Sequence, residues 1–436
     1  MKRSIELKVP LSQDMLPVIT NVAEQVAIAY GLSADDIKRS VLACEDMYTY
    51  LVSHSDGISD LTLNLKECGH YVQITFNFHL IPIPLHVLNI TAVNDPGDPG
   101  CLAQMEIFIV AHVVDRFILD QGTSDETVVH LIIEKQYPLA SDSTLNTLPT
   151  SLPHLSCTTG THEEIKQAAI RVIQTYGTHV PDFCRYPGKI IDMIRNGELQ
   201  AAIYSDGKGN VAGCIFWAQG EHLIDVYGPY VFVPGHQAGE EITRFLLESV
   251  GRIGLKSLII RSPIPGTPES WFERLPPIPW NSNNIGRVDF FNSHTPLYRQ
   301  LEEDTGATVV VHPDFVQTVS QWYDNLNLPR VLISSIPAGE APDEFTVFSV
   351  RIDNNRKITS LSLRTVGSDA ALVLAAHITY LSEQRISCIT YEMDLSNEME
   401  VFLVPALLKS GFSPSYIIPW GGSGDILVFY YMGENQ

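Results

Sequence analysis

Basic residues are scarce in this chain: Lys and Arg number 28 against 50 Asp and Glu, a formal net charge of −22. Such a balance keeps a protein soluble and repels polyanions at long range. It also lacks the basic footprint that a nucleic-acid surface needs. Long apolar runs are missing too. No stretch reaches the roughly 18–20 uninterrupted apolar residues of a membrane span. The N-terminus, MKRSIELKVPLSQD, has no apolar core of signal-peptide length. A soluble, cytoplasmic protein with neither nucleic-acid nor membrane partners is expected. The seven cysteines are widely spaced, with no Cys-x-x-Cys, which argues for reduced, buried thiols rather than a disulfide framework or a zinc site. The histidines form no ligand-spaced cluster. His54 with Asp56, and His112 with Asp115, supply two donors each, too few for a metal site.

What is present is core material: 45% of residues are hydrophobic and 18% charged, a packed rather than a disordered composition. At about 100–200 residues per domain, 436 residues suggest roughly three domains of α+β type. Ser12 stands before a helical stripe of Leu16, Ile19, Ala23, Val26 and Tyr30. Ser33 opens a second helix with Asp36 in its first turn. LTLNL and YVQITFNF alternate around Gly69 as a hairpin. A helix is expected over 102–118, and TVVHLIIE reads as a closing strand.

The order helix, helix, hairpin, long loop, helix, strand resembles the ATP-binding domain of the anti-sigma-factor kinases, within the histidine-kinase-like ATPase superfamily. The resemblance covers residues 1–136. It implies an acidic pair on the second helix, here Glu45 and Asp46, with Tyr50 where a magnesium-binding Asn belongs. The family's adenine-reading Asp-x-Gly falls near Asn77, Phe78 and His79. Its Gly-x-Gly falls on Gln104, Met105 and Glu106, where glycines would let backbone amides approach phosphates. With all three motifs changed, ATP with magnesium is not expected.

Residues 137–162, rich in Ser, Thr and Pro, read as a linker. From 163 the order is helix, short helix, three strands, helix, strand. DGKGN joins two alternating strands, so it is a hairpin turn and not a phosphate loop. The segments QTYGTHVPDFCRYPGKIIDMIRNGELQAAI and GNVAGCIF resemble the GNAT N-acetyltransferase superfamily, in a bacterial subgroup where this module follows a kinase-like ATPase module.

That resemblance implies a domain over 163–280 with three devices. A splayed strand, here VYGPYVFV, offers a backbone amide to a thioester carbonyl. A loop of pattern Arg/Gln-x-x-Gly-x-Gly/Ala binds the CoA pyrophosphate at a helix N-terminus. A base and an acid move protons. Here His236, Gln237, Ala238 and Gly239 match the loop up to its central glycine, but His236 replaces Arg/Gln and Glu241 replaces the last small residue. Glu240 and Glu241 in the first turn would repel a pyrophosphate. Tyr227 or Tyr230 are the candidate acids, and Glu221 or Asp225 the candidate bases.

Residues 281–436 begin with a strand-like RVDFF, a helix around PDFVQTVSQWYDNL and a loop-like NLPRVLISSIPAGEAPDE. A β-β-α-β-α-β order follows, similar to the back half of a GNAT fold. MDLSNEMEVFLVPALLKSGFSPSYIIPW, with Gly411-Phe412, resembles the same subgroup's C-terminus, implying a second, partial GNAT-like domain. Gly367 alone stands before its helix, with Asp369 as a cap, so no pyrophosphate loop is expected there. GGSGD is not a nucleophile elbow, because Asp425 occupies the second glycine position. Two readings follow. One is a regulatory or scaffold protein built on two degenerate enzyme folds and acting on a protein partner. The other is an acetyl-CoA-dependent N-acyltransferase regulated by its N-terminal module.

Overall fold

The computed structural model describes residues 3–55, 60–79, 81–93, 104–121, 126–140, 148, 152, 154–233, 237–277, 295–336 and 344–432. His236 and the RVDFF segment lie outside the described residues. The fold is mixed α+β with several sheets, in two compact units, Met1–Tyr137 and Pro138–Gln436.

The N-terminal unit has one antiparallel sheet of strands β1 (Ser4–Pro10), β2 (Asp60–Glu67), β3 (Tyr71–His79), β4 (Arg116–Gln121) and β5 (Glu126–Glu134), in the order β1-β2-β3-β5-β4. Leu61, Leu63 and Leu65, then Val72, Ile74, Phe76 and Phe78, alternate onto its inner face. Helices α1 (Leu16–Ala29), α2 (Ala34–His54) and α3 (Met105–Val113) supply the other side of the same core. Ser33 caps α2 by accepting from the Asp36 amide at 3.2 Å. Ser12 makes no such bond with its side chain; the chain enters α1 through a short 3-10 turn, Gln13–Met15. The helix expected over 102–118 ends at Val113. From Arg116 the period is two, with Phe117 and Leu119 packed on the core. A nearly unbroken apolar run over 107–119, interrupted at His112, Asp115 and Arg116, hides that change of period.

In the C-terminal unit a seven-stranded sheet runs β11-β12-β10-β9-β8-β7-β6. Its strands are β6 (Ser156–Thr158), β7 (Gln200–Ser205), β8 (Val211–Gln219), β9 (Leu223–Val231), β10 (Ser257–Ile260), β11 (Glu273–Arg274) and β12 (Leu297–Gln300). β6 comes from the segment expected to be linker. β12, beyond the expected boundary at 280, pairs with β10. Helices α4 (His162–Tyr176) and α5 (Pro187–Asn196) pack on one face, and α6 (Ala238–Val250) on the other. A capping box fixes the start of α4: Glu164 and Thr161 exchange bonds at 2.8 and 3.3 Å. Gly207 and Gly209 take φ of 68° and 95° in the β7–β8 turn, while the Asp206 carboxylate accepts from the Lys208 and Asn210 amides.

Further on, β13 (Ala307–Val311) and β14 (Arg330–Ser334) pair in parallel across α7 (Val316–Leu326). The segment 330–334 is therefore a strand, not the expected loop; its register with β13 replaces the alternation it lacks. A five-stranded sheet follows, β15-β16-β17-β19-β18. It comprises β15 (Val347–Asp353), β16 (Ile358–Thr365), β17 (Cys388–Asp394), β18 (Phe412–Ile418) and β19 (Ile426–Tyr431), with α8 (Ala370–Glu383) and α9 (Val404–Lys409). Asp369 stands at the start of α8 without capping it; its carboxylate accepts from the Thr346 amide at 2.6 Å instead. The two large sheets share a core in which Leu223, Ile259 and Tyr298 meet Tyr416, Ile418 and Val428.

One buried cluster ties these segments. The Arg330 guanidinium, wholly inaccessible, donates to Asp304 at 2.8 Å and to Asp425 at 2.6 Å, and lies over the rings of Tyr323 and Trp420. Replacing it with Met strands two carboxylates in a dry site, so Arg330→Met is expected to cost about 3–5 kcal/mol, read as a lower urea midpoint.

A second buried acid, Glu400, accepts a hydrogen bond from the Tyr391 hydroxyl, and burial pushes its carboxyl up to about 7. Its native form holds a proton more tightly than the unfolded chain does. Stability from this group is therefore complete below the ordinary carboxyl value and is lost as pH rises toward 7, by about 3 kcal/mol in all. Glu400→Gln should stabilise relative to wild type at pH 8 and not at pH 4.5. Equal differences at both values in denaturant titrations would refute this.

Candidate functional site

The region where sequence places an acyl-transfer site is built by β9, β10 and α6. β9 and β10 run parallel, but their ladder covers only Leu223–Asp225 of β9. Among the described residues, Val226–Val231 has no strand on that side. On its other side β9 pairs with β8, with a register shift: Tyr227 faces Phe216 and Tyr230 faces Cys214. Gly228 and Pro229 form the resulting bulge, Gly228 at a φ of 112° that favours glycine. A strand that loses its neighbour in this way can present backbone amides to a ligand.

Here both backbone groups of Val231 are taken. Tyr176, the last residue of α4, places its hydroxyl on Val231, accepting from the amide at 2.9 Å and donating to the carbonyl at 3.0 Å. Its ring meets Tyr230 edge-on at 5.2 Å, and Phe183 meets Tyr227 at 5.1 Å. Ile264 and Phe216 complete an apolar filling. Tyr230 is 2% exposed, and burial drives its hydroxyl well above the ordinary range. Burial, then the Asp225 charge, pushes the Tyr227 hydroxyl up to about 12. A thiolate, whose conjugate acid lies at about 8.5, would draw a proton from such a group only uphill.

Of the candidate bases, Asp225 lies on β9 beside the filled wedge. Its carboxylate accepts from Arg261 Nε at 2.8 Å, and Arg261 reaches across to Glu392 at 2.9 Å. Arg351 approaches the other oxygen of Glu392 at 3.5 Å. Asp225 is thus one end of a half-buried ion chain rather than a free base. Glu221 is exposed in the β8–β9 turn, 3.8 Å from His222, before the strand begins. The structure does not bring it to Tyr227 or Tyr230.

The loop candidates are also committed. Gln237 precedes α6 without a side-chain cap, and Ala238 and Gly239 are buried. A Cβ at Gly239 would sit 1.9 Å from the Gly266 carbonyl oxygen. Glycine is required there because the turn after β10 packs against the first turn of α6, which accounts for the residue without any phosphate. Glu240 and Glu241 add negative charge to the same first turn of α6. Glu241 is paired with Arg244 at 2.8 Å.

In the N-terminal unit Glu45 is exposed, while one carboxylate oxygen of Asp46 is buried without a hydrogen-bond partner. Burial, then repulsion from Glu45 and Glu106, pushes Asp46 up to about 6. Tyr50 donates to the Pro82 carbonyl at 2.6 Å and stacks on His54. Among the described residues no group of three or more His, Cys, Asp or Glu is arranged to hold a metal ion.

Sequence reasoning did not single out Tyr176, Phe183, Gly266, Arg261 or Glu392. Tyr176 reads as one more apolar position on α4, and the Arg261–Glu392 pair spans 131 residues.

No family model matches the chain, and no curated protein does. Among solved structures, it is similar to a GNAT family N-acetyltransferase from Escherichia coli in complex with CoA. That alignment covers 44% of this chain and 93% of the other, at 12% identity and a TM-score of 0.24. It is also similar to an Enterococcus faecalis protein of unknown function described as a probable N-acyltransferase. There the coverage is 71% and 79%, at 9% identity and a TM-score of 0.18. At these scores the likeness carries no weight for mechanism, and neither structure speaks for the kinase-like resemblance of the N-terminal unit.

Proposed function

We propose that this is a regulatory or scaffold protein that works by binding another protein, on an acyltransferase-like framework whose cofactor cleft is closed. The observation that carries this reading is the Tyr176 hydroxyl on both backbone groups of Val231. A thioester carbonyl would need a free amide on that half of β9. The rings of Phe183, Tyr227 and Tyr230 beside it, and the Gly266 carbonyl against Gly239, close the same region at two further points. The alternative, an acetyl-CoA-dependent N-acyltransferase, draws its support from the short β9–β10 ladder and the bulge at Gly228.

Thermal unfolding with millimolar acetyl-CoA separates the two. A ligand at a hundred times its dissociation constant stabilises by about 2.7 kcal/mol, a plain shift of the transition. No shift is expected, nor one with Mg-ATP in parallel. A shift with acetyl-CoA would establish a working acyl-CoA site and overturn the proposal. Tyr176→Phe leaves both Val231 groups unpaired and is expected to cost about 1–3 kcal/mol. It should remain silent to acetyl-CoA; a variant that gains a shift would mean the cleft is gated rather than lost.

A further inference from the structure

Helices α1 and α2 form an antiparallel hairpin joined by Tyr30–Ser33. One face of each is buried on the sheet, through Ile19, Ala23 and Val26 and through Ala43, Met47 and Leu51. The opposite faces leave a groove of about 470 Å³. Its apolar lining is Pro17 from α1 and Ile37, Val41 and Leu42 from α2, with Asn21 and Thr20 as the uncharged polar members. Thr20 bonds its hydroxyl back to the Leu16 and Pro17 carbonyls and so spends its polar group within the helix.

The charges of the groove are unbalanced. Glu24 and Glu45 both line it and are exposed. Among the described residues neither makes an ion pair. Lys38 is the one cation of the lining and pairs with Asp35 at 3.1 Å in an exposed contact, so the lining carries two carboxylates against one ammonium. In an antiparallel hairpin Glu24 lies near Ile37 and Glu45 near Pro17, so the two carboxylates sit at opposite ends. Seven residues of α1 separate Pro17 from Glu24, about 10 Å at 1.5 Å per residue.

We infer that this groove docks an amphipathic helix of a partner protein, with basic side chains seven residues apart and apolar residues three and four on from the first. That spacing covers the roughly 10 Å axial offset along one helix face, and the flexible stems of the two basic side chains span the crosswise offset between α1 and α2, so both carboxylates and the apolar lining are met at once. A second copy of this chain would set like charges together, and an anionic lipid surface would be repelled. The inference gives the protein-binding reading a surface and a partner chemistry. Peptide binding and acetyl-CoA binding are read separately, so either idea can fail alone.

The probe is a fluorescein-labelled helical peptide with Lys at the two positions seven apart and Leu at the two between, titrated with the full chain by anisotropy at low salt. Saturable binding is expected, weakened by added salt. Glu24→Lys/Glu45→Lys should lower affinity by about tenfold, from two exposed pairs turned repulsive, and Leu42→Asp should lower it as well. All three are exposed positions, and circular dichroism and melting of the variants should match wild type. A peptide with Glu in place of both Lys should bind the double variant better than wild type. No saturable binding, equal binding of a scrambled peptide of the same composition, or indifference to these substitutions would overturn the inference.

Discussion

A strand that loses its neighbour halfway along must find other partners for its backbone, because a buried amide or carbonyl left unpaired costs about as much as a lost hydrogen bond. β9 is in that position beyond Asp225. In one kind of protein a ligand supplies the partner. In this one a phenol does: Tyr176 satisfies both groups of Val231, and that bond fixes the end of α4 over the wedge. The aromatic filling follows, since rings drawn to that edge bury Tyr230 and leave Tyr227 half-buried. Gly239 meets the Gly266 peptide at the start of α6, where a side chain would collide with its carbonyl oxygen.

Charge pairs, half-buried in one cluster and fully buried in another, organise the rest of the C-terminal unit. Asp225, Arg261 and Glu392 link β9 and β10 to β17, and Arg330 links β14 to Asp304 and Asp425. Such chains gain little net stability over apolar packing but penalise every arrangement that leaves one member alone. They define how the two large sheets of this unit meet.

The elements with one clean period were legible from sequence. The stripes of α1 and α2 and the β2–β3 hairpin could be read because each buries a single face. Arg116–Gln121 was not, because an apolar run conceals the change from helical to alternating period. Arg330–Ser334 was not, because Val331 and Ile333 are exposed and the strand exists through its pairing with β13. The candidate site shows the deeper limit. Glu240 and Glu241 are legible as negative charge at the start of α6, because charge is a local property. The occupants of the wedge, Tyr176 and Phe183, look like ordinary core positions until the fold sets them beside Val231 and Tyr227. Gly239 fits a motif by spacing, yet the neighbour that demands it is Gly266.

The Arg330 clamp also bears on how the chain is made. Its acids and rings are drawn from residues 304 to 425, and Trp420 and Asp425 emerge from the ribosome long after Arg330. Until they do, a guanidinium destined for a dry interior has only Asp304 to pair with, and the shared core of the two sheets lacks Tyr416, Ile418 and Val428. The C-terminal unit is therefore completed late, with apolar strands β9 and β10 waiting uncovered, a period in which a nascent chain is most in need of a chaperone.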